Sequence, residues 1–391
     1  MNKRVLKRLE KGLKQLLRRL LLWFLPAPAP IPPKHNLPGK VLVFRLDQRV
    51  GNGVMLLPLL KAIRRSLPEG EIHLLIHHPV AELYRATTTG LVDRLWPYDQ
   101  PRLLKRPWQF WGLLRSLKRE HFDVAITAHN PDNFSLSQAL LGRWIRPRCL
   151  VGFRWGENHR FYDLAVPSSP EKHYTDAMVD LWRPFDPPAK TELGGLHISA
   201  PLRRQALGHF REQIAGKTPL LPPEALAGVQ KGENFPEETE GGLGILVWIG
   251  ATGNKILPAE VWECLRDDLA RQSDVPVFFA AGPQDGALLP QYPSWLQECT
   301  ILWKEPLVLT AALFSAFDLF ISGDTGPMHL AVAVGCPTLS IFVGSRIQQY
   351  GYHDGKRHLA LWWDGSAEAR KNVQKALKRL LADRERPTVK R

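Results

Sequence analysis

Short apolar runs alternate with helix-patterned segments in two separate stretches of this 391-residue chain, and that alternation restricts it to one kind of fold. In the first stretch, Lys40–Arg45 reads as a strand. A turn at Leu46–Asn52 leads into a helix near Gly53–Ser66, and Glu71–Ile76 and Val92–Trp96 follow as strands. A helix over Trp108–Glu120, a strand at Phe122–Thr127, a helix near Asn133–Trp144 and a strand at Arg148–Val151 complete it. The second stretch reads strand Gly244–Ile249, helix Pro258–Gln272, strand Val275–Ala280, helix Leu307–Ser315, strand Asp318–Ile321, helix Pro327–Val334 and strand Thr338–Phe342. A last helix covers Ala367–Arg384. Such alternation predicts an α/β protein with doubly wound, mostly parallel sheets. Ligands bind such sheets at the turns beyond the carboxyl ends of the strands.

Between the stretches the pattern blurs. A helix is expected at His173–Trp182, and residues 216–242, rich in Pro, Gly and Glu, read as a long surface connection. Two similar halves joined irregularly predict two Rossmann-like domains facing a cleft, with no sequence repeat between them. The boundaries read as an N-terminal domain at 40–200, a connection at 201–242, a C-terminal domain at 243–365 and a basic helix and tail at 366–391.

The net charge of +14 narrows the partners, because it is unevenly placed. Residues 1–24 carry +7 and residues 366–391 carry +6, which leaves the body near neutral. A nucleic-acid binder would show a basic working face in its folded body, so no nucleic-acid partner is expected. Cys149, Cys264, Cys299 and Cys336 are dispersed without a CxxC pair. That spacing argues against a zinc site or a disulfide framework and fits a reducing, cytoplasmic compartment. His77 and His78 have no acidic partner at ligand spacing, and no metal is expected.

Residues 3–21 pattern as a basic amphipathic helix within a segment spanning 1–25. Val5, Leu6, Leu9, Leu13, Leu16, Leu17 and Leu20 share one face, and eight Lys and Arg residues share the other. Such a helix lies on an anionic membrane surface. Its longest clean apolar run, Leu20 to Leu25, is too short to span a bilayer. The Pro-rich linker at 26–39 reads as an extended spacer. The thirteen Trp residues, several beside Arg (Trp108, Trp144, Trp155 and Trp182), read as carbohydrate contacts or, more commonly for such residues, as core or rim packing.

Three strand-end turns carry chemistry. In Ser322-Gly-Asp-Thr-Gly-Pro-Met-His329, Thr325 and Gly326 open a helix whose N–H groups and dipole suit a phosphate, with Asp324 and His329 beside it. In Trp248-Ile-Gly-Ala-Thr-Gly-Asn-Lys255, backbone N–H groups and the Lys255 ammonium suit a diphosphate, without the Walker A spacing. In Arg45-Leu-Asp-Gln-Arg-Val-Gly-Asn-Gly53, Gly51 and Gly53 permit a tight turn and a close backbone approach. Asp47 in that turn also reads as a turn-capping residue held by Arg45 or Arg49.

The string Ser322–Pro337, together with Arg45–Ile63, resembles glycosyltransferase family 9, the heptosyltransferases of lipopolysaccharide core synthesis. The resemblance covers roughly residues 40–365. It implies an inverting enzyme of GT-B fold, with the acceptor on the N-terminal half and a nucleotide-diphosphate sugar on the C-terminal half, most simply ADP-heptose. It places Thr252 and Lys255 on the phosphates, Gln284 and Asp285 near the nucleoside, and Asp324 on sugar hydroxyls. Thr325 and Gly326 then offer N–H groups to phosphate, and His329 lies beside the diphosphate. It implies no cofactor and no metal, there being no Asp-x-Asp motif. The acceptor implied is a lipid A–core precursor or related glycolipid. With the basic helix, this places the protein in the cytoplasm, peripheral on the inner membrane.

The resemblance breaks at one position. The family's proposed base is the Asp directly after the Gly of the first turn, and Asn52 stands there. An amide does not accept a proton near neutral pH. Asp47, or His129 or Asp132 after the fourth strand, takes that role, or the protein is a non-catalytic glycan-assembly binder. A third reading keeps the fold and changes the donor to a UDP- or GDP-sugar.

Overall fold

The computed structural model describes residues 38–99, 105–215, 243–272 and 275–384. The basic segment 3–21, residues 26–37 of the Pro-rich linker and the 216–242 connection lie outside the described residues. The chain divides into two compact units: unit 1 holds residues up to Gln48, Met55–Ala81 and Thr89–Glu192, and unit 2 holds Arg49–Val54, Glu82–Thr88 and Leu193 onward.

Unit 1 contains strands β1 (Lys40–Phe44), β2 (Glu71–His77), β3 (Arg94–Tyr98), β4 (Val124–Thr127), β5 (Cys149–Phe153) and β6 (Leu164–Val166) in one sheet ordered β3-β2-β1-β4-β5-β6. All its pairings are parallel; Val41, for example, lies between Ile72 and Val124. Unit 2 repeats the order. Its strands β7 (Ile245–Trp248), β8 (Val277–Ala281), β9 (Thr300–Leu302), β10 (Leu319–Gly323), β11 (Thr338–Phe342) and β12 (His358–Trp362) run β9-β8-β7-β10-β11-β12. Both sheets thus follow the order 3-2-1-4-5-6 of the open, doubly wound dinucleotide-binding fold, with the reversal between the first and fourth strands. The central strands are buried along nearly their whole length, which is why they read as continuous apolar runs and not as alternation.

Helices in chain order are α1 (Val50–Val54), α2 (Leu57–Ser66), α3 (His78–Thr87), α4 (Pro107–Arg119), α5 (Leu136–Ile145), α6 (Tyr174–Asp180) and α7 (Ala200–Ile214), then α8 (Ala259–Gln272), α9 (Ser294–Cys299), α10 (Leu307–Phe314), α11 (Gly326–Ala333), α12 (Ile347–Tyr350) and α13 (Ala367–Arg384). Their ends follow local chemistry. Pro58 sits in the first turn of α2, and Arg64 and Arg65 sit in its last turn against the helix dipole. Ser135 caps α5 through the Gln138 N–H. Leu42, Phe44, Leu117, Phe122 and Leu150 centre the core of unit 1, and Val247, Trp262, Leu265, Ile321 and Ile341 that of unit 2.

The expected elements are present within a few residues, and several others were not expected. The three-residue strands β6 and β9 are too short for a periodic signal. The edge strand β12 is half-covered and begins with His358. The largest difference is α7, which occupies part of the stretch read as a connection and belongs to unit 2. It buries only Ala206 and Phe210, too little to leave a periodic pattern. Phe210 nonetheless fastens it, meeting Phe278 and Phe317 edge-on at 5.2 and 5.6 Å.

His358 makes the fold acid-sensitive. Its ring is buried, with Nδ1 3.0 Å from the Thr338 hydroxyl. Burial pushes its pKa down from 6.5 to about 4, with Asp354 opposing and Arg357 adding to the fall. The unfolded chain therefore takes up this proton first, and stability is lost as pH falls from about 6.5 towards 4. At ~1.4 kcal/mol per unit, the loss is roughly 2–3 kcal/mol. Urea midpoints should fall over this window, and His358→Gln should flatten the fall by one proton's worth.

Candidate active site

In each unit the candidate turns sit where the strand order reverses. The Lys255 turn follows β7 and the Asp324 turn follows β10, neighbours in the middle of the second sheet. The Asp47 turn follows β1 and the His129–Asp132 segment follows β4, neighbours in the middle of the first. Adjacent crossover connections leave the sheet in opposite directions there and open a crevice for a ligand.

In unit 2 the Lys255 ammonium lies 2.6 Å from Asp324 Oδ2. The Asp324 side chain is 3% exposed and that of Lys255 33%, so the carboxylate is fixed and the ammonium borders solvent. Gly253, at φ +64°, allows the 3₁₀ turn that carries Lys255, and the Tyr350 ring lies 5.4 Å from the ammonium. The second Asp324 oxygen is 4.0 Å from His329 Nε2. His329 Nδ1 meets the Tyr352 hydroxyl at 3.0 Å. Burial, reinforced by Asp324, pushes the Tyr352 phenol well above its ordinary range, so it stays protonated. The His329 ring is thus held between the Asp324 carboxylate and the Tyr352 hydroxyl.

Thr325 caps α11, its hydroxyl accepting from the Met328 N–H at 3.4 Å. Pro327 has no N–H, so the Thr325 and Gly326 N–H groups are the ones this helix end offers an anion. Gly51 explains its own identity. A Cβ there would lie 2.7 Å from His329 Cδ2 and 3.2 Å from Gly326 Cα. The turn read as one feature is therefore divided, Arg45–Gln48 clustering with unit 1 and Arg49–Val54, with the buried Asn52, clustering with unit 2.

The remaining donor-side residues differ in kind. Thr252 is exposed at the start of the 3₁₀ turn, and Gln284 is exposed after β8. Asp285 is built into the turn: its Oδ2 accepts from the Gly282 N–H at 2.9 Å. A Cβ on Gly250 would sit 1.9 Å from that oxygen. Asp285 thereby joins the turns after β7 and β8, and burial raises its pKa against the opposing Gly282 bond.

In unit 1 the unexpected centre is Arg45, fully buried. Its Nη1 donates to Ala128 O at 2.7 Å and to the Tyr174 hydroxyl at 2.5 Å. Nη2 donates to Asn130 Oδ1 at 2.5 Å, and Nε pairs with Asp47 Oδ2 at 2.5 Å. Tyr174 donates in turn to Asn130 Oδ1 at 2.7 Å. Asp47 is thus held by Arg45, as its turn-capping reading required, while its side chain keeps 24% exposure. His129 stands in the same neighbourhood, its Nδ1 3.0 Å from the Gln138 amide nitrogen. Burial first, then Arg45, lower its pKa to about 4 against Asp47 and Asp132, so it is neutral at pH 7. Tyr174 and Asn130, neither singled out as a site residue in the sequence, hold the Arg45 that pairs with Asp47. An Arg closing an apolar strand, with no acid adjacent, was the available signal.

A third cluster lies at the opposite, amino-terminal end of the first sheet. Glu71, His73 and Glu120 approach one another closely enough to hold a cation. Lys40 already supplies one, 2.9 Å from Glu71 and 2.8 Å from Glu120, with Arg94 2.5 Å from Glu120.

Two parallel 3-2-1-4-5-6 sheets in two units, each with its polar turns at the reversal point, are the GT-B architecture, and the family match below makes the chain a glycosyltransferase. The model of glycosyltransferase family 9 (heptosyltransferase) matches residues 110–378, and the chain belongs to that family. It is similar to a candidate glycosyltransferase of Haemophilus influenzae, 24% identical over 355 residues, covering 86% of this chain and 92% of that one. Among solved structures it is similar in fold to a family 9 glycosyltransferase of Veillonella parvula (TM-score 0.64, 18% identity, 88% of this chain and 97% of that one). It is likewise similar in fold to the E. coli heptosyltransferase WaaC with ADP (TM-score 0.62, 17% identity, 87% of this chain and 99% of that one).

Proposed function

We propose that this chain transfers heptose from ADP-heptose, with inversion, to a hydroxyl of a lipopolysaccharide core or related glycolipid acceptor. The observation that carries the reading is the Lys255–Asp324 pair at the reversal point of the second sheet. A diphosphate needs positive charge and N–H donors where charge grows on the leaving group. Lys255, partly exposed and aligned by a buried carboxylate, supplies the first. The N–H groups of Thr325 and Gly326 supply the second. Asp324 accepts from sugar hydroxyls, and His329 lies beside the phosphates. Thr252 adds a hydroxyl to the diphosphate turn; Gln284 lies towards the nucleoside, with Asp285 holding the turn behind it.

On the other side of the reaction, Asp47 takes the proton from the acceptor hydroxyl, whose oxygen attacks the anomeric carbon opposite the departing diphosphate. Asn52 does not perform this step. The accessible, Arg-aligned Asp47 favours an active enzyme over a non-catalytic binder. The family likeness and the E. coli relative solved with ADP support a nucleotide-sugar donor. The basic segment 3–21 supports a place on the cytoplasmic face of the inner membrane.

Thermal shifts of the full chain with ADP, UDP and GDP test the donor site. Nucleotide at ~100 times its dissociation constant adds about 2.7 kcal/mol of stability. ADP is expected to stabilise and the other two to do so less, with the shift, measured against each variant's own melting point, lost in Lys255→Ala. A larger shift with UDP or GDP would move the donor to that nucleotide. No shift with any of them would remove the transferase assignment for this site.

A further inference from the structure

The tryptophans of the α4–α5 face do not pack as core or rim. Trp108 is 66% exposed, Trp111 52% and Trp144 43%. On a helical projection Trp108, Trp111, Gly112, Arg115, Lys118 and Arg119 fall within a sector of about 120°. The opposite side of α4, with Leu114 and Leu117 at its centre, joins the core of unit 1. The Trp111 and Trp144 rings meet edge-on at 5.6 Å, and the Lys118 ammonium lies 5.4 Å from the Trp144 ring. Among the described residues, Arg115, Lys118 and Arg119 form no ion pair.

Large indoles left in water are costly unless something covers them. Indoles ringed by cations match the headgroup level of a bilayer, where aromatic bodies sit and Lys and Arg reach lipid phosphates. A platform for a neutral sugar would pair the indoles with groups that also accept from hydroxyls, whereas this sector carries cations alone, which suit phosphate. We propose that the α4–α5 face of unit 1 is a membrane-contact surface for anionic phospholipid. It is separate from the basic segment 3–21 and does not depend on which nucleotide sugar or acceptor the chain uses.

The test is partitioning of the full chain onto phosphatidylcholine vesicles containing about a third phosphatidylglycerol, with no donor or acceptor present. Two variants are compared with the parent: Trp108→Ser/Trp111→Ser/Trp144→Ser, and Arg115→Gln/Lys118→Gln/Arg119→Gln. All six residues border solvent, so circular dichroism and melting should match the parent. Residues 3–21 contribute equally to every protein, so the ratios report this face alone. Each cation near the surface is worth about fivefold in partitioning, so the second variant should lose about tenfold or more, together with much of its salt dependence. The tryptophan variant should lose about tenfold or more on the same vesicles. Partitioning of both variants within about twofold of the parent would overturn the proposal. So would a loss confined to the tryptophan variant, which would leave anionic phosphate without a role, or parent self-association that this variant abolishes, which would assign the face to a second copy.

Discussion

Asp47→Asn is expected to lower turnover by about 10²–10⁴-fold while leaving nucleotide binding and folding nearly intact. The asymmetry follows from the geometry. Asn keeps the size of Asp and leaves an oxygen beside the Arg45 guanidinium, so the turn after β1 keeps its shape. What is lost is a group able to take a proton. The measurement is steady-state kinetics with saturating donor, alongside thermal shift with nucleotide: kcat should fall with KM for the donor unchanged. Turnover within threefold or so of the parent would transfer the role to His129 or Asp132, since base removal costs far more than that. His129 fits the role less well. Its Nδ1 is already engaged, 3.0 Å from the Gln138 amide nitrogen.

The second large effect is on stability. Arg45→Met should destabilise unit 1 by about 3 kcal/mol or more, because it removes a buried cation from partners arranged around it. Met fills much of the volume, so the cost is polar, not a cavity. Ala128 O, Asn130 Oδ1 and the Tyr174 hydroxyl each lose a donor in a place with little water, and Asp47 loses its countercharge. For a unit of this size the melting point should drop by about 6–12 °C. Asp47→Asn should cost far less, because Asp47 is partly solvated and Arg45 keeps its other partners, Ala128, Asn130 and Tyr174. Scanning calorimetry of the two variants separates the roles: Arg45 positions, and Asp47 reacts. Equal losses of stability would show that Asp47 matters chiefly as the partner of a buried charge.

Local pattern and long-range pairing contribute differently to what was legible. The strands could be read because burial on both faces writes a continuous apolar run into five or so residues, as at Val41–Phe44 and Leu319–Ile321. The turn chemistry could be read because Gly253, Pro327 and Thr325 are needed where they stand, for a positive φ, a helix start and a cap. Asp285 could be found but not understood, because the carboxylate that closes its turn looks the same in sequence as one that waits for a nucleoside.

The sequence by itself determined the α/β class, the strand-end turns, the family likeness and the replacement of the expected base by Asn52. Each of these is written in spacing and residue type over short windows. Only the tertiary structure decided that Lys255 and Asp324 form a pair, that Arg45 gathers Asp47, Asn130 and Tyr174, and that α7 belongs to unit 2. It alone left Trp108, Trp111 and Trp144 outside the core. The physical reason is common to them all. Strand order, not chain order, brings β7 beside β10 and β1 beside β4, and a side chain's burial depends on what the sheet sets against it.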